Sequence, residues 1–77
     1  MDNDTIVLEL TRNEAIVLFE FLGRFNHKDH KELFEDQAEQ RVLWDIEAIL
    51  EKHLSESFRQ DYSMIIAHAR EAVRDKE

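Results

Sequence analysis

Between Thr5 and Leu10 the chain reads TIVLEL, placing Ile6, Leu8 and Leu10 on one face of an extended segment and Thr5, Val7 and Glu9 on the other. Alternation with a period of two, in a run rich in β-branched residues, predicts a strand. No other segment has this pattern, and a lone strand carries backbone donors and acceptors that need partners. Three placements satisfy them. The residues Ile6, Val7, Leu8, Glu9 and Leu10 pair with the same strand of a second copy, add to a partner's sheet, or lie along the helices as extended chain. The first is a route to a symmetric dimer.

From Thr11 onward the apolar spacing becomes helical. Thr11-Arg12-Asn13-Glu14 matches a capping box, in which the Thr11 hydroxyl accepts from the third helical residue and Glu14 reaches back. A first helix is predicted from about Arg12 to Phe25, with Ala15, Leu18, Phe19, Leu22 and Phe25 as its main stripe. Ile16, Val17 and Phe21 widen that stripe, leaving only Glu20, Gly23 and Arg24 as solvent-type positions. A helix apolar nearly all round is a central helix. Asn26 to Lys31, NHKDHK, reads as a polar connection, and Leu33 and Phe34 as a short helical turn. Asp36-Gln37-Ala38-Glu39 offers a second capping box, opening a helix that runs to about Leu54. Its core stripe is Ala38, Val42, Leu43, Ile46, Ile49, Leu50 and Leu54. Ser55-Glu56-Ser57 interrupts the pattern. A third helix is predicted from about Asp61 to Asp75, burying Tyr62, Ile65, Ile66, Ala69 and Val73, with Phe58 just before it. The expectation is a mainly α fold: one domain over residues 1–77, a compact three-helix bundle with one short N-terminal strand, and ends 1–4 and 75–77 that fray.

Composition agrees with this. The chain has 77 residues, one glycine and no proline, too few turn residues for an all-β fold. So short a chain buries only about 60% of the surface that its unfolded form exposes. It has no cysteine, so neither disulfides nor thiolate metal sites compensate. Self-association is one way to complete such a core. The formal net charge is −8, from eighteen acidic and ten basic residues. That balance disfavours nucleic acid and anionic membrane surfaces as partners and suits a basic protein surface, while also serving solubility. The acidic start, Met1-Asp2-Asn3-Asp4, is followed by no apolar run of signal-peptide length, and no stretch reaches a membrane span. The expected location is the cytoplasm.

Candidate chemistry is sparse. His27 and His30 flank Asp29 in the polar connection, but a third ligand is missing, so no metal site is expected. His53 and His68 flank the core stripes, where a histidine packed between chains responds to pH near neutrality. Ser55, Ser57 and Ser63 lack a glycine-rich elbow, Glu47 and Glu51 follow outer-face spacing, and no phosphate-binding glycine loop exists. No enzyme activity and no cofactor are expected. The basic residues are scattered, without a basic helix face.

Trp44 is the most informative residue. The second helix places it away from the Val42, Ile46 and Ile49 stripe, among Gln37, Gln40, Arg41, Glu47, Ala48 and Glu51. A tryptophan on a polar face is covered by another part of the fold or a second copy, or it anchors a partner, as tryptophan and arginine do at interface hot spots.

The segments LTRNEAIVLFEFLGRF (Leu10 to Phe25), EDQAEQRVLWDIEAILEKHL (Glu35 to Leu54) and DYSMIIAHAREAVRD (Asp61 to Asp75) resemble a widespread group of small uncharacterised bacterial proteins. The resembling positions include Glu14, Phe19, Glu39, Gln40, Arg41 and Trp44. The resemblance implies a bacterial origin and a helical fold, and no mechanism. Two functional classes follow from the residues. One is a small acidic protein-binding inhibitor of the immunity-protein or antitoxin kind, acting by occlusion through the Trp44 face. The other is a homodimeric accessory or scaffold protein built on the N-terminal strand and first helix.

Overall fold

A computed structural model describes residues 4–54 and 61–74. Three α-helices follow one another: α1 (Arg12–Asn26), α2 (Gln37–Leu54) and α3 (Tyr62–Val73), with a single 3-10 turn at Lys31–Leu33 between the first two. The mainly helical class is as the apolar periodicity predicts. Phe58 and Ser55 to Ser57 lie outside the described residues, as do residues 1–3 and 75–77 of the ends 1–4 and 75–77 that the sequence predicts to fray.

α1 opens on a complete capping box. The Thr11 hydroxyl accepts from the Glu14 amide at 3.0 Å, and Glu14 Oε1 accepts from the Thr11 amide at 2.9 Å. Two amides that the helix cannot satisfy internally are thereby paired. Thr11→Ala should cost about 1 kcal/mol of stability, read from a urea melt; no loss would mean that α1 starts elsewhere. The second cap is arranged differently. Asp36 Oδ1 accepts from the Ala38 amide at 2.7 Å, but Glu39 Oε1 reaches past Asp36 to the Glu35 amide at 2.9 Å.

α1 is the central helix. It packs against both α2 and α3, which do not pack against each other. The core is correspondingly small: Ile16 and Leu22 of α1, Leu50 and Leu54 of α2, and Ile66 and Ala69 of α3 are buried, with Leu18, Phe19, Leu43, Ile46 and Ile65 packed partly against them. The radius of gyration, 14.3 Å, exceeds the roughly 11.5 Å of a typical domain of this length.

Several expected surfaces are corrected by this arrangement. α2 meets only α1, so one narrow stripe along Leu43, Leu50 and Leu54 turns inward. Val42 and Ile49, predicted as core, are 53% and 57% exposed, and Ala38 is exposed beside them. Tyr62 and Val73 of α3 also stay partly exposed, at 44% and 38%. Conversely, Glu20 and Gly23 are not solvent positions. Glu20 Oε1 accepts from Arg24 Nε at 3.1 Å and from Arg70 at 2.9 Å, joining α1 to α3. Gly23 is half-buried facing α2, where an added Cβ would sit 3.9 Å from Glu47 Oε2, an ordinary contact. Gly23→Ala should therefore stabilise the fold by about 0.5–1 kcal/mol through helix propensity. A destabilised variant in thermal unfolding would show that α1 and α2 approach more closely here.

The segment before α1 departs most from expectation. Residues 4–10 form no strand within the chain, and no strand occurs among the described residues. Ile6, Val7 and Leu8 are 88, 80 and 79% exposed. Extended packing along the chain's own helices would have covered them, so that placement is not the one adopted.

Candidate functional site

The outer face of α2 gathers the residues that sequence spacing put together. Gln37, Arg41, Ala48 and Glu51 are exposed, and Gln40 and Glu47 are half-buried where the face meets α1. Trp44 lies at the middle of this face and is 39% exposed. The Arg41 guanidinium sits over the indole at 5.8 Å from the ring centroid, and it also approaches Asp45 Oδ1 at 3.7 Å. A cation on the ring face holds the indole in place without removing it from solvent, and such exposed pairs contribute about 0.5–1 kcal/mol. The indole is thus presented in a fixed pose, flanked by carboxylates on the following turns.

Glu47 is more than a solvated outer-face carboxylate. Its Oε1 accepts from Asn26 Nδ2 at 2.7 Å in a half-buried contact between α2 and the end of α1. This hydrogen bond ties α2 to the end of α1 three residues after Trp44. Charge-assisted bonds of this kind are the stronger ones.

Behind the C-terminal end of α1 the connection is better ordered than its composition suggests. The His30 ring stacks on Phe25 at 3.9 Å between centroids and 7° between planes. Phe34 meets Phe25 edge-on at 6.1 Å, and Phe21 stacks on it at 5.7 Å. His30 is half-buried, and its Nε2 is buried without a hydrogen-bond partner among the described residues. His30 was expected on a solvated loop. The stack with Phe25, unforeseen because the loop's composition is polar, is what draws it in. The i,i+4 spacing of Phe21 and Phe25 was the available signal. His27, His53 and His68 are exposed.

Among the described residues, no three of His, Cys, Asp and Glu converge where they could hold a metal ion, and no helix is long and apolar enough to cross a membrane. Open grooves flank α1, two of them of similar size. One, about 700 Å³, has Phe19, Gly23 and His27 along α1, with Glu47 of α2 and Tyr62 of α3 at its sides. The other, also about 700 Å³, lies between the first turns of α1 and the outer flank of α3, lined by Arg12, Asn13, Ile16, Asp61, Met64, Ile65, Ala67 and His68. The predicted strand residues Ile6, Val7, Leu8, Glu9 and Leu10 stand exposed ahead of α1, outside both linings. No family model matches the chain, and no curated protein and no solved structure is similar to it.

Proposed function

We propose that this chain is a small acidic protein-binding module that engages a protein partner through the outer face of α2. Trp44 is its anchor, and Gln37, Gln40, Arg41, Glu47, Ala48 and Glu51 surround it. The observation that carries the reading is the indole of Trp44, 39% exposed, beneath the Arg41 guanidinium on the outer part of α2. Within this proposal the mechanism is occlusion. Trp44 fills an apolar pocket while Glu47, Glu51 and the net charge of −8 meet a basic surface. This is the mode of an inhibitor of the immunity-protein or antitoxin kind, acting in a bacterial cytoplasm without cofactor or catalysis. Electrostatic steering would speed association, and added salt would slow it.

The test is capture of partners from a native lysate by the chain and by Trp44→Asp in parallel. The proposal expects a protein retained by the first and lost by the second. Identical captures by both would remove the α2 face as the binding surface.

A second reading has its own observation. Ile6, Val7, Leu8 and Leu10 are apolar and exposed, which supports a homodimeric accessory or scaffold protein joined through its N-terminal segment.

A further inference from the structure

We infer that a second copy of this chain lays its Ile6–Leu10 segment into the groove between the start of α1 and the outer flank of α3. The inference rests on the homodimer reading and specifies where its interface lies.

The first argument is area. The chain exposes 6595 Å². A compact monomer of 9.2 kDa exposes about 4,900 Å² by the scaling of folded surface with mass. The excess is on the order of 1,700 Å², and a stable protein–protein interface takes about 800 Å² from each partner. Less than half of the excess therefore suffices for a dimer.

The second argument is that one chain carries both halves of the contact. The donor is Ile6, Val7 and Leu8, nearly fully exposed. The acceptor is a groove floored by Ile16, Ile65 and Met64, with Met64 itself 70% exposed. A surface and its complement on the same chain generate an open filament or a closed ring, and the closed form with two copies is a two-fold pair in which each gives its segment and receives the other's. The groove takes the apolar part of the segment. Three extended residues, Ile6 to Leu8, span about 10 Å, and the stretch from Asp61 to His68 along α3 spans about 11 Å.

Charge agrees locally as well. The segment carries Glu9, and the groove carries Arg12, with Asp61 as the like charge at its end. The two copies as wholes repel, each at −8. Salt screens that long-range repulsion more than a partly buried contact. Dimerisation should strengthen with salt, opposite to the binding of a basic partner at the Trp44 face.

Because the chain has no cysteine, single introduced thiols report position cleanly. Chains carrying Leu8→Cys are mixed with chains carrying Met64→Cys and oxidised with diamide, which accepts the two electrons and two protons released as the disulfide forms. The expected product is a two-chain disulfide joining the two variants, in excess over either variant joined to itself. The double variant Leu8→Cys with Met64→Cys should likewise cross-link to dimers. Met64→Asp, at an exposed position, should keep the helical circular dichroism and weaken the dimer by about ten-fold or more in sedimentation equilibrium. Predominant joining of Leu8→Cys chains to one another would mean that the segments pair together, which overturns the groove and leaves the dimer reading standing. A cross-linked monomer from the double variant, or an unmodified chain that stays monomeric from micromolar to millimolar concentration, would overturn both.

Discussion

Leu22→Ala is expected to leave most of the chain unfolded at room temperature. Leu22 is the largest fully buried side chain, in the core that all three helices share. Truncating such a leucine costs about 2–5 kcal/mol, the lost transfer term plus the cavity left behind. A single core in a domain this small supplies only about 3–5 kcal/mol in total, so one truncation removes most of it. The contrast is Ile49→Ala. It removes the same class of side chain from the exposed flank of α2 and should cost within about 0.5 kcal/mol. Urea unfolding of both variants by circular dichroism decides the matter. A loss under about 1 kcal/mol at Leu22, or one as large at Ile49 as at Leu22, would mean that α2 turns inward along the wider stripe its sequence predicts.

The second large effect is on binding. Trp44→Asp should leave the unfolding midpoint nearly unchanged, because the indole lies outside the buried core and the residues packed against it. It should weaken partner binding by at least about 30-fold, the range of an interface hot spot. Arg41→Ala removes the cation over the ring and should have a smaller effect in the same direction, since the indole stays but is held less firmly. Isothermal titration against the captured partner measures both. A Trp44→Asp chain that unfolds would place the indole in the core and leave the α2 face without its anchor.

The helices and the α1 cap were legible because their signals are local. The Thr11–Glu14 box lies within one turn, and the apolar stripe of α1 marks it as central whatever packs on it. The central position of α1 follows from that stripe, and both neighbours do pack there. The rotation of α2 was not legible. Val42 and Ile49 lie at the edge of a stripe whose width presumes cover from α1 and α3 together. That α2 and α3 do not meet is a tertiary fact that no periodicity within either helix encodes. The polarity of Glu20 and the size of Gly23 suggested solvent, whereas one pairs with Arg70 across the fold and the other is half-buried facing α2. His30 was hidden for a related reason. Its neighbours in sequence are charged, and the ring that holds it, Phe25, belongs to the preceding helix.

The N-terminal segment marks the limit of single-chain reasoning. Its alternation of apolar and polar residues is real, yet within one chain it finds no sheet. A strand signal without a partner strand asks for a second molecule. For the candidate site, sequence spacing placed Trp44 and its neighbours on one side of α2, and the geometry added what spacing lacks: the Arg41 cation over the indole and the Asn26–Glu47 hydrogen bond to α1.

The most direct test of the account is the emission of Trp44 in the isolated chain, with acrylamide and iodide as quenchers. It is the sole tryptophan, so the signal reports this face alone. The account predicts emission characteristic of a partly solvated indole, quenched efficiently by acrylamide and unchanged at concentrations where the chain dimerises through its N-terminal segment. A blue-shifted indole that resists both quenchers would show the α2 face already covered within the chain or its dimer, and would contradict its role as the surface kept for a partner.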